Sequence, residues 1–368
     1  MSQDITGPEL FGRGEVDARL SDRLTLAAGV DVTAQWLHAR YDGPTVGADE
    51  GDPSQGGPIT QQPRASIVAT APFTRPAGYL EATWHGPAGV TLIGGGRVDY
   101  FGDIHQTTFD PRLTARVALT DQTTIKGGAG LFSQPPDYGQ AVPGLGNPNL
   151  RAARALHLDL GIDHTFGPAF TLGAEAFAKR LRDVVVAGEQ PGTLNNDGVG
   201  RIYGFELSMK AHAGDRASAF LSYTLSRSER RDHPDSAWRL FDYDQTHILT
   251  AAGALRLGRN WRLGGTFRLV SGNPQTPITG SVYDADHDIY RPIFGAVNST
   301  RSPLFHRMDV RVEKQWHPGR VLLAGYLDLQ NAYFHANTEA TGYGFDYRQK
   351  VNVTGLPILP SFGVRGEL

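Results

Sequence analysis

The sequence predicts an all-β protein, a transmembrane antiparallel β-barrel of about 15 long strands. Three observations carry that prediction. Residues 201–212 alternate strictly, with Tyr203, Phe205, Leu207, Met209 and Ala211 on one face and Gly204, Glu206, Ser208, Lys210 and His212 on the other. A period of two marks an extended strand with one apolar and one polar side. After a break at Gly214-Asp215, the chain returns with Ala217, Ala219, Leu221, Tyr223 and Leu225 on one face. Arg216, Ser218, Ser222, Thr224, Ser226 and Ser228 mostly fill the other, with Phe220 the exception. Ordinary strands run about five or six residues, whereas a tilted membrane strand needs about nine to eleven. Lastly, short and long connections alternate along the chain, as they do between the two rims of a membrane barrel.

The elements follow in order. Strands are predicted over 9–20, 24–40, 73–85, 90–103, 109–120 and 123–133. Next come Leu156, Leu158, Leu160 and Ile162 alternating with His157, Asp159, Gly161 and Asp163, then Phe170, Leu172, Ala174 and Ala176 alternating with Thr171, Gly173, Glu175 and Phe177. The hairpin from 201 leads to strands over 246–257 and 261–271. Met308, Val310, Val312 and Trp316 then oppose Arg307, Asp309, Arg311, Glu313 and Gln315. Val321, Leu323, Leu327 and Leu329 oppose Arg320, Tyr326, Asp328 and Gln330, and 359–368 closes the series. The short connections are Ser21-Asp22-Arg23, Gly86-Pro87, Asp121-Gln122, Gly167-Pro168, Gly214-Asp215, Gly258-Arg259-Asn260 and His317-Pro318-Gly319. Gly supplies positive φ there, Pro presets φ, and Asp and Asn bond their own backbone. The long connections are 41–72, 135–152, 188–199, 233–244, 273–300 and 336–357, with a briefer one at 104–108. Trp261 and Trp316 flank short turns, where rings suit a membrane interface.

Composition narrows the classes. The chain has 368 residues, no Cys and a formal net charge of -3, so thiolate chemistry is excluded and no basic footprint for nucleic acid exists. No run of about 18 apolar residues is present to form a membrane helix. A mean hydropathy of -0.32 looks soluble, but alternating strands average out in just this way. Residues 1–6 carry no signal-peptide pattern. The first strand runs toward a short turn and the last returns to that same rim, so an odd strand count is expected. Both features lead to the expectation that an N-terminal part precedes this chain.

Three stretches resemble the C-terminal barrel of TonB-dependent outer-membrane receptors. The first is Leu131-Phe132-Ser133-Gln134-Pro135-Pro136-Asp137-Tyr138, followed by Gly146-Asn147-Pro148-Asn149-Leu150-Arg151. The second is Asn195 through Leu207, with Gly200 and Tyr203-Gly204-Phe205-Glu206-Leu207. The third is Leu329-Gln330-Asn331-Ala332-Tyr333-Phe334 with the closing Pro357-Ile358-Leu359-Pro360-Ser361-Phe362-Gly363-Val364-Arg365. The resemblance covers nearly the whole chain. It implies a single barrel unit over 1–368, corresponding to part of a 22-stranded receptor barrel, without the plug domain or TonB-box segment and lacking about seven strands. Leu368 stands where the family usually ends in an aromatic residue. The implied location is the outer membrane of a Gram-negative bacterium. The implied function is uptake of a scarce ligand (a metal chelate, cobalamin, glycan or peptide), and no enzymatic activity or cofactor is expected. The implied partners are outer-membrane lipid, a TonB-type energy-coupling protein acting through a plug domain, and the missing N-terminal barrel segment.

Candidate ligand contacts fall on the long connections: Asp137, Tyr138 and Asn147; Asn195 and Asn196; Trp238, Arg239 and Tyr243; Tyr283 and Tyr290. Aromatics with a few placed polar groups are what ligand pockets use, although each residue alone also reads as ordinary solvated loop. The run Asp284-Ala285-Asp286-His287-Asp288 lacks the turn Gly and closing Glu of a calcium-binding EF-hand loop, and the 12 His show no ligand spacing for zinc, so no metal site is expected. Gly94-Gly95-Gly96 is a strand interior, not a phosphate loop. No Gly-x-Ser-x-Gly elbow occurs, and His212 beside the serine-rich return strand is the one hydrolase-like pairing. A passive porin closing as a smaller barrel is the main rival reading, followed by a barrel-embedded hydrolase. A soluble β-protein such as a propeller lacks support, because no blade repeat of about 40 residues is present.

Overall fold

The computed structural model describes residues 2–44, 64–141, 146–188 and 193–367. The early strands are β1 (Ser2–Thr6), β2 (Glu9–Ser21), β3 (Leu24–Pro44), β4 (Arg64–His85), β5 (Val90–Phe101), β6 (Gln106–Ala118) and β7 (Thr123–Gln134). A one-turn helix, α1 (Tyr138–Ala141), precedes β8 (Ala153–Phe166), β9 (Phe170–Ala187), β10 (Leu194–Ala213) and β11 (Ala217–Arg231). Then come β12 (Arg239–Leu240), β13 (His247–Leu257), β14 (Trp261–Val270), β15 (Pro274–Gln275), β16 (Ile278–Asp284), β17 (Ile289–Phe294) and β18 (Thr300–Arg301). The chain ends in β19 (Phe305–Trp316), β20 (Leu322–Gln330), β21 (Thr338–Tyr343), β22 (Lys350–Thr354) and β23 (Leu359–Glu367).

One antiparallel sheet contains 17 strands. Two of them are extensions: β12 is a two-residue addition to β11, and β1 continues β2 along the same neighbour, β3. The remaining 15 are the strands read from the alternation. The interruption between β1 and β2 falls at Gly7-Pro8, where the Pro8 carbonyl accepts from Trp36 N at 3.2 Å and a Cβ on Gly7 would overlap the Trp36 carbonyl oxygen. Consecutive spanning strands pair throughout as a meander. Among the described residues no pairing joins β23 to β1 or β2, and both β2 and β23 are open to solvent on nearly every residue.

Register fixes the two faces. Directly opposed residues share a side of the sheet, and one set runs across the wall: Leu158–Ala178, Ala176–Phe205, Leu207–Tyr223, Tyr223–Leu249, Ala251–Phe267, Phe267–Met308, Val310–Leu329 and Leu327–Phe362. This outward side is apolar and bare: Val16 is 70% exposed and Leu160 is 64% exposed. Water would penalise that area at about 25 cal/mol per Å2, as expected of a face made for an apolar surrounding. Trp84, Trp261 and Trp316 lie on the same side beside short turns, and Lys314 sits 5.4 Å from the Trp261 ring centre. The other side carries the charges in short ion-pair chains. Arg97 reaches Asp31 (2.6 Å) and Asp99 (2.9 Å), Lys126 reaches Asp163 (3.5 Å) and Glu175 (3.2 Å), and Arg311 reaches Glu313 and Asp328 at 3.1 Å each. Phe220, the exception in the alternation, faces this lumen opposite Lys210.

The short turns occur where the sequence puts them. Arg259 and Asn260 both take positive φ, as do Ala88 with Gly89, and Gly167, Gly214 and Gly319. The long connections depart from expectation. Strand β4 starts at Arg64, so much of the predicted loop 41–72 is strand, and residues 45–63 lie outside the described residues. Loop 273–300 contains the hairpin β16–β17, and loop 336–357 contains β21–β22. Asn195, expected in a loop, lies in β10. The largest buried apolar side chains, Leu37, Phe73, Phe101, Leu150, Val186 and Val270, gather at the long-loop rim. The packed core therefore sits where the loops converge, above the wall.

Candidate functional site

Three clusters of loop and strand-end residues form at this rim. In the first, Tyr138 opens α1 and packs at a tilt against Phe73 with ring centres 4.9 Å apart. Arg75 lies 4.9 Å from the Tyr138 ring and donates to Asp103 at 2.5 and 3.0 Å. Burial pushes the Tyr138 hydroxyl above its ordinary value. The Asp137 carbonyl starts the helical turn by accepting from Gln140 N at 2.9 Å. Asn147 holds its own loop, with Oδ1 accepting from Asn149 N at 2.9 Å and Nδ2 donating to the Leu194 carbonyl at 2.8 Å. Asn195 Oδ1 accepts from Asp197 N at 3.1 Å. Asn196 ties β9 to the preceding loop, donating to the carbonyls of Asp183 (2.8 Å) and Arg151 (3.0 Å) while accepting from Arg151 N at 2.7 Å. The structure thus brings the 137–147 and 195–196 residues into one network.

The second cluster follows β11. Arg239 has only 8% of its side chain exposed, and its guanidinium meets Asp232 twice at 2.8 Å and Asp242 at 3.1 Å. Asp242 also accepts from Asn298 Nδ2 at 2.5 Å, which anchors the later loop. Tyr243 is 68% exposed and packs edge-on against Phe241. Trp238 lies 4.2 Å from the Arg201 guanidinium and 5.4 Å from that of Arg231.

The third cluster lies between the two loop hairpins. Tyr283 and Tyr290 face each other across β16–β17 with ring centres 5.2 Å apart, and Phe345 meets Tyr290 edge-on at 5.6 Å. Ser281 Oγ donates to the Asp346 carbonyl at 2.6 Å, joining the hairpins around a cleft of about 460 Å3 lined by Tyr290, Tyr343, Phe345 and Tyr347. Tyr283 donates to Asp288 at 2.7 Å, which raises its hydroxyl pKa. The acidic run 284–288 is the turn of this hairpin. Asp284 accepts from Arg291 (2.6 Å) and contacts His287 Nδ1 (3.0 Å), and these partners hold its carboxyl down at about 2. Among the described residues no group of His, Asp or Glu is placed to hold a metal ion. Arg75, Tyr343, Phe345 and Tyr347 escaped the sequence reading. The aromatic run from Tyr343 to Tyr347 was the available signal for three of them.

Below the rim, a lumenal hollow of about 670 Å3 is lined by Lys210, His212, Ser218, Thr266, Arg311 and Asp328 among others. His212 and Ser218 are direct cross-strand partners. Among the described residues no hydrogen bond joins them and no carboxylate orients the imidazole, so the arrangement lacks the oriented base that an activated serine needs.

A wall apolar outside, ion-paired inside, and roofed at one rim by aromatic loops defines a transmembrane barrel of the receptor kind. The chain belongs to the family of TonB-dependent receptor-like β-barrels, whose model matches residues 3–331. A comparison with curated proteins found no match. Among solved structures it is similar to the FrpB iron transporter from Neisseria meningitidis, with 17% identity, a TM-score of 0.64, and 96% of this chain and 53% of that one covered. It is similar to the ferric-catecholate import receptor Fiu from K12 E. coli, with 16% identity, a TM-score of 0.68, and 99% and 55% covered. It is also similar to a ferric enterobactin receptor mutant (PfeA) from Pseudomonas aeruginosa in complex with enterobactin, with 14% identity, a TM-score of 0.69, and 99% and 55% covered. The chain spans about half the length of these structures.

Proposed function

We propose that this chain is the C-terminal wall of an outer-membrane receptor in a Gram-negative bacterium, taking up a scarce ligand with a TonB-type energy-coupling protein. The observation that carries the reading is the joining of a charged lumen to an aromatic cleft at the long-loop rim, within a chain of this family. Aromatic side chains with few polar groups suit capture of a small ligand. Tyr243, Tyr283 and Tyr290 offer ring faces, while Trp238 keeps its ring against Arg201 and Arg231. Asp137, Tyr138, Asn147, Asn195 and Arg239 hold the loops that present them. The neighbours named as an iron transporter, a ferric-catecholate import receptor and a ferric enterobactin receptor favour a metal chelate over cobalamin, a glycan or a peptide. A plug domain and an N-terminal barrel segment complete the receptor, and outer-membrane lipid surrounds it.

The test is co-production of this chain with a plug-bearing N-terminal segment in a Gram-negative host lacking its own ferric-chelate receptors. Growth on a ferric catecholate that requires both this chain and the host's TonB-type protein supports the reading, and Tyr290→Ala should weaken it. Ion conductance by this chain alone in planar bilayers, with no energy-dependent uptake, would instead establish a passive porin.

A further inference from the structure

The outward side of the wall is apolar up to one level and then changes abruptly on four adjacent strands. On β8 the series Phe166, Ile162, Leu160, Leu158 and Leu156 is followed by Arg154. On β9 the last apolar position is Ala178, followed by Arg180 and Arg182. On β10, Tyr203 is followed by Arg201, and on β11, Leu225 is followed by Arg227, Glu229 and Arg231. Register places these side by side: Arg154 opposite Arg182, Arg180 opposite Arg201, Tyr203 opposite Arg227 and Val199 opposite Arg231. The flanking positions carry no such charge: Ser133 stands opposite Arg154 on β7, and His247 stands opposite Leu225 on β13.

Like charges directly opposed across a sheet repel. The one acid among these outward positions, Glu229, is buried and already held by Arg201 at 2.5 Å and Arg227 at 2.7 Å. Arg154, Arg180, Arg182 and Arg231 have no acidic partner among the described residues, and the first three are exposed. Register shifts in β10 between Asn195 and Gly200 open a groove here of about 760 Å3. Its walls include Arg180, Arg182, Arg201, Arg231 and Trp238, together with two acids, Asp183, which Arg151 holds at 2.6 Å, and Asp197, which lies 3.9 Å from His233. The Trp238 ring lies 4.2 Å from the Arg201 guanidinium and 5.4 Å from that of Arg231, within cation–π range of both. Uncompensated guanidinium groups in fixed array favour a phosphate-bearing partner, which they bind bidentately.

We propose that this groove on β8–β11 binds the phosphates of an anionic glycolipid headgroup in the surrounding outer leaflet. Its position decides the occupant. The arginines face away from the lumen, immediately above the apolar band, at the level where headgroups begin when the long loops are external. A basic cluster at that level gains affinity from each residue near an anionic surface. The inference rests on the membrane location proposed above.

The experiment purifies the chain, co-produced with the plug-bearing N-terminal segment, from outer membranes in mild detergent and counts retained glycolipid by mass spectrometry. Arg180→Ser with Arg182→Ser is compared with wild type, with Arg180→Lys plus Arg182→Lys, and with the lumenal Lys210→Ala. Binding is then titrated with purified phosphorylated glycolipid, its dephosphorylated counterpart and inorganic phosphate. The expected result is retention by wild type and Lys210→Ala, with the Lys pair between wild type and the Ser pair because an ammonium keeps the charge but not the bidentate fork. The Ser pair should lose about tenfold or more in affinity for the phosphorylated glycolipid, and neither the dephosphorylated lipid nor millimolar inorganic phosphate should compete. Equal retention by wild type and the Ser pair in chains that do reach the outer membrane would overturn this inference alone. Absence of the wild-type chain from that membrane would overturn the receptor reading with it. Competition by inorganic phosphate as strong as by the glycolipid would replace the lipid with a free anion.

Discussion

Asp244 and Arg301 form an ion pair at the foot of the external loops, and the Asp244 side chain is only 1% exposed. The same carboxylate accepts from Ser228 N at 2.6 Å and Thr246 Oγ1 at 3.0 Å. Arg301 in turn donates to the carbonyls of Asp244 (2.8 Å) and Gly272 (3.0 Å). One contact thus fastens the end of β11, the start of β13 and the base of the loop that carries Tyr283 and Tyr290. Removing one partner of a buried pair costs about 3–5 kcal/mol because the other is left uncompensated. Asp244→Ala should release both loops to protease while the wall stays folded in detergent, and Asp244→Ala with Arg301→Ala should cost less than the sum of the single changes. Unchanged loop cleavage in Asp244→Ala would remove this pair from the architecture.

The register sets a sharper test of the two faces. Leu207 opposes Ala174 and Tyr223, and Val310 opposes Gly265 and Leu329, all outward. Arginine at either position places a charge in hydrocarbon at a cost of about 2–4 kcal/mol near the midplane. Leu207→Arg and Val310→Arg should lower the yield of membrane-inserted protein. Lys210→Ala, on the lumenal side, should leave it unchanged. Equal yields for all three would invert or abolish the assigned orientation.

The hairpin turn at Asp284 carries a pH signature. Its carboxyl sits at about 2, below its ordinary value of 3.8, first because Arg291 donates to it and then because of His287. A depressed folded-state pKa contributes stability that is present above the unfolded value and is lost as pH falls through the folded one. The β16–β17 hairpin should therefore keep this contribution at neutral pH and lose it between about pH 3.8 and about 2. Arg291→Ala should move the Asp284 midpoint, followed by carboxyl NMR, upward. A midpoint unaffected by that substitution would show that the pairing does not persist in solution.

Asn331, near the start of the third resembling stretch, has a structural reason to be asparagine. It takes φ of 51°, and it is 4% exposed. Its side chain accepts from His335 N at 3.0 Å and donates to the carbonyls of His335 (2.9 Å) and Leu356 (3.3 Å). Alanine would strain the backbone and leave buried partners unmatched, at about 1–3 kcal/mol for the latter. Asn331→Ala should lower the thermal midpoint and expose the 332–357 segment to proteolysis. Asn331→Gly should retain the φ but not the bonds, and so fall near Ala. Full stability of the Gly variant would assign the motif to φ alone.

The sequence by itself determined which side of the wall each strand residue faces and where the short turns lie. The period of two is written in adjacent residues: Leu207 and Lys210 declare opposite sides without reference to any partner, and Gly214 or Asn260 declares a turn by its own allowed φ. Even the motif glycine Gly204 has a local-looking signature, though its cause is tertiary: a Cβ there would come within 2.7 Å of the Phe177 ring on the neighbouring strand. What the long connections do was decided only by the tertiary structure. Tyr290 meets Phe345 and Arg239 and Asn298 share Asp242 because segments far apart in sequence are brought together, and Arg180 stands beside Arg201 because β9 and β10 are set in register. No local pattern encodes such partners, since polar and aromatic loop residues satisfy their hydrogen bonds and ring contacts with whichever segment the wall brings near.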